Sequence, residues 1–127
     1  GCFGYGQYEA AMAMKLLDEL NIRHIDWCVG FSFGCWVSRF LIDQFKPRHG
    51  LVWIAPSLGE GLWSDEYHWP HNRHIIQGQQ DELCPYESCL TFAKKHDFQV
   101  HAVPDATHFF HGKQIVLRNT LEAIVTQ

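Results

Sequence analysis

The sequence lacks the features that would point to a membrane, an export route or a nucleic-acid partner. No run of about 18–20 uninterrupted apolar residues, the length that a membrane-spanning helix needs, occurs in its 127 residues. A charged segment followed by an apolar one, as in a secretory signal peptide, is also missing. Lys and Arg total 10 against 14 Asp and Glu, and the longest basic cluster is Lys94-Lys95-His96. Because phosphates are bound by clustered Lys and Arg, we expect neither a nucleic-acid nor a membrane partner.

Cysteine shows no pattern of a disulfide framework or a zinc site. The five cysteines are Cys2, Cys28, Cys35, Cys84 and Cys89. Their number is odd, their spacing is irregular, and no two form a CxxC pair. We interpret them as reduced core residues, which predicts a cytoplasmic protein.

Histidine is abundant, and one group of histidines raises the question of a metal site. His68, His71 and His74 recur at intervals of three residues. Pro70 lies among them, so the three cannot share one regular helical face. No Cys, Asp or Glu completes a known ligand spacing. We therefore expect no metal, although a histidine-rich metal protein remains a third hypothesis for the chain.

Helix-like and strand-like segments alternate along the chain. Helical periodicity predicts helices at 8–20, 33–45, 85–95 and 113–125. Short apolar runs predict strands at 24–29, 50–55, 73–77 and 98–103. The run at 50–55 is continuously apolar, as in a strand buried on both faces of a parallel sheet. The alternation predicts an α/β fold, with one parallel sheet covered by helices on both faces.

The pentapeptide Gly30-Phe31-Ser32-Phe33-Gly34 lies between a predicted strand and the clearest predicted helix. Its pattern, G-x-S-x-G, is that of a nucleophile elbow, a tight turn that presents a serine hydroxyl above the sheet. We expect small residues on both sides of the serine because the strand and helix backbones pass close together there, and Gly30 and Gly34 meet that need. Ser32 would then lie near the positive end of the helix, with the Phe33 N–H directed at the developing oxyanion.

A serine hydroxyl needs a base to become nucleophilic, and a histidine base needs a carboxylate to fix its tautomer. In a parallel sheet these groups should follow the carboxyl ends of later strands. Asp81 follows the third predicted strand and His108 follows the fourth. Asp105, three residues before His108, is an alternative acid, as are Glu60 and Asp65 after the second strand.

Together these segments resemble the C-terminal part of an α/β-hydrolase. Residues 30–34 resemble the elbow, 78–85 resemble the acid loop, and 106–110 resemble the histidine loop of that superfamily. The chain order Ser, Asp, His is also that of the superfamily. Within it, the chain is most similar to a group of small hydrolases without a lid domain, related to dienelactone hydrolases and serine esterases.

The resemblance implies that Ser32 is the nucleophile, Asp81 the orienting acid and His108 the general base. Dienelactone hydrolases have cysteine where this chain has serine, which favours ester-type substrates. We therefore expect a serine hydrolase that cleaves a small carboxylic ester or thioester through an acyl-serine intermediate, without a cofactor.

The loop at 57–72 stands where many α/β-hydrolases insert a lid domain. Its 16 residues are too few to build one. Trp63, Tyr67 and Trp69 either line an open pocket for the substrate or pack the long loop against the fold. The sequence favours neither alternative.

The resemblance implies an eight-stranded sheet, of which this chain supplies about the last four strands. Residues 1–127 are thus expected to be a partial domain without its N-terminal strands. The strand before Ser32 would be a sheet edge, through which the chain could form an oligomer. The loop that normally gives the second oxyanion donor would be missing, at a cost of about 10²–10³-fold in turnover. The alternative hypothesis is therefore a catalytically inactive fragment or interaction module.

Overall fold

A parallel sheet forms the centre of the fold, in a computed structural model that describes residues 6–58 and 68–127. The strands in these residues are β1 (Trp27–Phe31), β2 (Gly50–Ile54), β3 (Arg73–Gly78) and β4 (Gln99–Val103). The helices are α1 (Gln7–Glu19), α2 (Gly34–Phe45), α3 (Tyr86–His96) and α4 (Gln114–Val125). All strand pairs are parallel, and the order across the sheet is β1-β2-β3-β4. The predicted α/β class is confirmed.

The strand β1 differs most from its predicted bounds. It begins at Trp27 because its partner strand begins at Gly50, and the two residues pair in register. The backbone also continues through Gly30 instead of ending there, since Phe31 pairs with Ile54, the last residue of β2. The apolar pattern of the sequence indicates where β1 lies. Its first and last residues are those that pair with the first and last residues of β2.

Apolar side chains on the two faces of the sheet form two separate cores. On one face, β2 and its neighbours pack against α2 and α3; on the other, they pack against α4. Trp53 is fully buried on the first face. Its indole N–H donates to Ser38 Oγ at 2.8 Å, and the Ser38 hydroxyl donates to the Cys35 carbonyl at 2.7 Å. This chain of bonds satisfies the buried indole and connects β2 to α2.

Trp69 packs against the core. Its ring meets the Trp53 ring edge-on at 5.4 Å between centroids, and the Phe98 ring at the same distance. For Trp69, the second of the two alternatives from the sequence is therefore the correct one. Trp63 and Tyr67 lie outside the described residues, as does Cys2.

An apolar surface lies along β1 and α1. In the described sheet, β1 has a neighbouring strand on one side only. Its residues Val29 and Phe31 are 46% and 39% exposed. Four further exposed apolar residues follow one stripe of α1, namely Tyr8, Met12, Leu16 and Leu20. Such an edge can pair with a further strand, so assembly through β1 stays a prediction. None of the described helices combines the length and the apolar character that crossing a membrane requires.

Two histidines form a hydrogen-bonded pair between β3 and β4. His74 Nδ1 lies 2.9 Å from His101 Nε2, and His74 Nε2 lies 2.6 Å from Asn72 Oδ1. Burial, and then the proximity of His101, lowers the pKa of His74, while burial alone lowers the pKa of His101. Both rings therefore resist protonation more strongly in the folded chain than in the unfolded one.

The lowered pKa values predict how the histidine pair changes stability with pH. Below about pH 6.5, the ordinary pKa of histidine, the unfolded chain binds protons that the folded chain refuses. The contribution of the pair to the free energy of unfolding is thus complete above that pH and declines as the pH falls. We expect the free energy of unfolding, measured by denaturant titration between pH 7.5 and about 5, to fall less steeply with pH in His101→Gln than in the wild type. His111→Gln, at an exposed site, is the control; a wild-type slope in His101→Gln would refute the prediction.

Candidate active site

A tight turn after β1 presents Ser32. Its φ of 52° lies in the left-handed region, which is uncommon for residues other than glycine. The Ser32 N–H donates to the Ile54 carbonyl at 2.9 Å, and α2 begins two residues later, at Gly34. The strained backbone is thus held on one side by β2 and on the other by the start of α2.

The two glycines of the pentapeptide differ in how closely they are packed. A Cβ at Gly30 would lie 3.0 Å from the Gly34 carbonyl oxygen and 3.1 Å from Cys35 Cα. A Cβ at Gly34 would lie in open space, apart from its chain neighbours and the backbone of its own helix. The close approach of strand and helix predicted from the sequence is thus seen at Gly30, whereas Gly34 itself is not tightly packed.

The structure brings Ser32, His108 and Asp81 together. The distance from Ser32 Oγ to His108 Nε2 is 3.0 Å, and that from His108 Nδ1 to Asp81 Oδ2 is 2.9 Å. The side chains of His108 and Asp81 are 2% and 0% exposed. Because a carboxylate only accepts, His108 Nδ1–H donates to Asp81, and Nε2 is left to accept the Ser32 hydroxyl proton. This arrangement can move a proton from the serine to the imidazole and stabilise the resulting positive charge.

Asp81 is surrounded by hydrogen-bond donors. Its Oδ1 accepts from the backbone N–H groups of Leu83 at 2.8 Å and Cys84 at 2.7 Å. Its Oδ2 accepts from His108 and, at 3.2 Å, from the side-chain amide of Gln77. A buried carboxylate is costly unless it is hydrogen-bonded, and these four donors meet that need.

The loops that carry Asp81 and His108 lie directly against each other. A Cβ at Gly78 would come within 2.4 Å of the Ala106 carbonyl oxygen, so only glycine allows this approach. The same carbonyl accepts from the Gln80 N–H at 3.0 Å. Glu82 Oε2 accepts from the His108 backbone N–H at 3.3 Å. Sequence reasoning missed the Glu82 contact, and no local pattern signals it.

Of the alternative acids, Asp105 does not take the place of Asp81 in the site. Asp105 is exposed in the turn after β4, with a φ of 61°, while the carboxylate on His108 Nδ1 is that of Asp81. Glu60 and Asp65 lie outside the described residues.

The three histidines considered as a metal site point to separate partners. His68 Nδ1 lies 2.8 Å from Asp43 Oδ1, and His74 is bonded to His101. His71 is exposed. Nothing in this arrangement directs the three rings to a common point.

Potential metal ligands come together instead within the site, in the described part of the chain. Atoms of Asp81, Cys84 and His108 lie within 4.8 Å of one another. Burial, with the charges of the Asp81 and Glu82 carboxylates, raises the pKa of the Cys84 thiol to about 11. In the metal-free chain the Cys84 thiol therefore keeps its proton near neutral pH and does not compete with Ser32 as a nucleophile.

Aromatic rings and a small cavity border the site. The Phe31 and Phe109 rings lie 5.4 and 4.9 Å from the His108 ring, between centroids. A cavity of about 260 Å³ opens beside the Asp81 loop, between the segments at 56–58 and 83–88. Its lining residues are Pro56, Ser57, Leu58, Leu83, Cys84, Pro85 and Ser88.

The difference between the two glycines predicts that alanine destabilises the fold at Gly30 but not at Gly34. Gly30→Ala presses a methyl group onto α2, and we expect it to lower the free energy of unfolding by about 1–3 kcal/mol. Gly34→Ala adds a methyl group in open space at the start of a helix, and we expect a change within about 0.5 kcal/mol. Urea titrations of both variants measure the difference. Equal destabilisation by the two would contradict the packing argument.

Comparisons with known proteins agree with the fold. No family model matches the chain, and neither does any curated protein. An α/β serine hydrolase without a lid from Xanthomonas campestris is 29% identical, with a TM-score of 0.78, over 99% of this chain and 59% of its own. An α/β serine hydrolase homologue from Coxiella burnetii is 27% identical, with a TM-score of 0.69, over 95% of this chain and 60% of its own.

A third match is a protein of unknown function from Agrobacterium tumefaciens, provisionally assigned to the α/β hydrolases. It is 26% identical, with a TM-score of 0.83, over 99% of this chain and 62% of its own. The chain thus spans about three fifths of the length of these three structures. On fold, identity and the share of the chain that is matched, the protein is a relative of the α/β hydrolases.

Proposed function

We propose that the protein is a serine hydrolase that cleaves a small carboxylic ester or thioester. The observation that carries the proposal is the continuous path from Ser32 Oγ through His108 to Asp81, with hydrogen bonds of 3.0 and 2.9 Å. The likeness to serine hydrolases from Xanthomonas and Coxiella supports the same chemistry.

The first half of the reaction transfers the acyl group to Ser32. As Oγ attacks the carbonyl carbon, His108 Nε2 takes the hydroxyl proton, and the Asp81 carboxylate stabilises the imidazolium. The carbonyl oxygen becomes an oxyanion. When this intermediate collapses, the bond to the leaving group breaks, and His108 returns the proton to the departing alcohol or thiol.

The second half releases the acid. A water molecule occupies the place that the alcohol has left, and His108 Nε2 removes its proton as it attacks the acyl carbon. Collapse of the second oxyanion returns the proton to Ser32 Oγ and frees the carboxylic acid. The enzyme ends in the state in which it began, and no cofactor takes part.

The backbone N–H of Phe33 is the proposed oxyanion donor. It lies at the N-terminus of α2, where the first N–H groups have no acceptor within the helix and the helix dipole is positive. α/β-Hydrolases add a second donor from the loop after the third strand of their complete sheet. We take residues 1–127 to be the C-terminal part of such a domain, so the isolated chain would lack that donor and work about 10²–10³-fold more slowly.

A small substrate suits the surroundings of the site. The cavity beside the Asp81 loop measures about 260 Å³, and the segment between β2 and β3 is too short for a lid domain. The relative from Xanthomonas also has no lid. The four described cysteines are free, which suits the reducing cytoplasm.

A second candidate function is that of a catalytically inactive interaction module. It is favoured by the apolar surface along β1 and α1, where Val29 and Phe31 are exposed at the sheet edge. This candidate predicts that a folded chain binds a partner strand but leaves esters intact.

Labelling with a fluorophosphonate probe distinguishes the two candidates. The wild type should be labelled. Ser32→Ala should lose both labelling and at least about 10³-fold of its turnover of p-nitrophenyl acetate, because Ser32 is the one serine of residues 6–58 and 68–127 that contacts His108. Thr91→Ala, which removes an exposed hydroxyl on α3 away from the cavity, is the matched control.

Two outcomes would count against the proposal. Equal labelling of Ser32→Ala and the wild type would show that another residue is the nucleophile. A wild type that is folded by circular dichroism, yet neither labelled nor hydrolytic, would favour the interaction module.

A further inference from the structure

A glutamine is fully buried at the carboxyl end of β3. Gln77 is 0% exposed, directly after Ile75 and Ile76, which are also fully buried. A primary amide loses its bonds to water when it is buried, and glutamine is uncommon in such positions. Its presence there calls for a reason.

The contacts of Gln77 fix which way its amide faces. Nε2 donates to the Cys84 carbonyl at 2.7 Å and to Asp81 Oδ2 at 3.2 Å, with the Gly78 carbonyl further away at 3.4 Å. All three neighbours are acceptors, so the nitrogen and not the oxygen of the amide must face them. Gln77 Oε1 has no hydrogen-bond partner among the described residues.

The amide holds the turn that carries Asp81 at two points. One hydrogen goes to the carbonyl of Cys84, whose N–H donates to Asp81 Oδ1. The other goes to Asp81 Oδ2, the same oxygen that accepts from His108 Nδ1–H. Backbone donors alone hold Oδ1, so Gln77 and His108 together set the direction in which Oδ2 points.

Gln77 carries both a cost and a benefit inside the fold. An apolar side chain of the same length would avoid the unpaired acceptor at Oε1, but it would leave the Cys84 carbonyl without its donor. A buried polar group that is only partly satisfied calls for an explanation, and a role at a functional site is one. The contact from Nε2 to Asp81 Oδ2 points to that role.

We propose that Gln77 is a positioning residue that orients the Asp81 carboxylate for its bond to His108. This inference rests on the proposed function, in which that bond fixes the tautomer of the base. Without the amide, the carboxylate spends part of its time turned away from His108 Nδ1. The rate of the chemical steps then falls, whereas substrate binding, which does not involve Gln77, is unchanged.

Gln77→Met tests the proposal because it keeps the length of the side chain and removes both donors. We expect kcat for p-nitrophenyl acetate to fall about 10-fold with KM unchanged, as is typical when a hydrogen bond to a charged group is lost. The midpoint of urea unfolding should fall, because the Cys84 carbonyl and Asp81 Oδ2 each lose a donor, so the rates are compared under conditions in which both proteins are fully folded. Gln80→Met, at an exposed position on the same loop, should leave both kcat and the midpoint unchanged.

A double-mutant cycle with Asp81→Ala shows whether Gln77 acts through Asp81. If it does, Gln77→Met should change kcat less than about 2-fold once the carboxylate is gone. An unchanged kcat in the single variant, or an equal loss in both backgrounds, would overturn the proposal.

Proton NMR gives a readout that does not need turnover. The His108 Nδ1 proton, bonded to a buried carboxylate, should resonate far downfield in the wild type, and Gln77→Met should shift or broaden that signal. If the wild type hydrolyses no ester but the signal responds, the proposed function fails and the positioning role stands. If the signal is the same in both proteins, the positioning role fails whatever the activity.

If Gln77→Met does not fold, Gln77→Glu provides a second test of the positioning role. It preserves the shape of the side chain and, when protonated, one donor. Burial and the nearby Asp81 would raise the pKa of the new carboxyl group, so its ionisation at higher pH should repel Asp81. We expect activity relative to the wild type to decline as the pH rises. A ratio that does not change with pH would count against the proposal.

Discussion

The hydrogen bond between His108 and Asp81 is the contact on which the candidate site depends. It connects two loops that leave neighbouring strands, and it forms because parallel strands end at the same edge of the sheet. Gly78 allows the two loop backbones to approach so closely, and Glu82 holds the His108 backbone from the other side. With the imidazole fixed in this way, its second nitrogen can reach Ser32 on the turn after β1. The contacts at Gly78 and Glu82 therefore both help to orient the His108 imidazole.

The sequence allowed the main residues of the site to be predicted because their positions follow from local patterns. Ser32 stands between an apolar run and an amphipathic helix, and Asp81 and His108 each follow a strand. In a parallel sheet that information is sufficient to bring their side chains to one edge. Most of the predicted strands and helices were also close to those observed, and β2, the central apolar run, was predicted to within one residue. Their proximity agrees with the catalytic roles proposed for them, which remain to be tested.

The remaining features depend on contacts between distant segments, which one-dimensional patterns do not contain. Gln77 and Glu82 acquire their roles only where the loops meet, although a polar residue at the end of a buried strand was a signal for the former. The difference in packing between Gly30 and Gly34 was likewise not visible in the sequence, because the space at each position depends on the path of α2 after the turn. In the same way, the start of β1 followed from the start of β2 at Gly50 and not from its own composition.

The open edge of β1 has a thermodynamic consequence for any strand that pairs with it. A parallel neighbour would end beside Ser32, so its following loop would border the reacting carbonyl group. Binding of that strand to β1 would then be linked to formation of the oxyanion at Ser32. If the strand stabilises the oxyanion, the oxyanion must make the strand bind more tightly to the same extent. On the proposed function, an adduct on Ser32 that mimics the oxyanion, such as a phosphonyl group, would therefore favour pairing at β1.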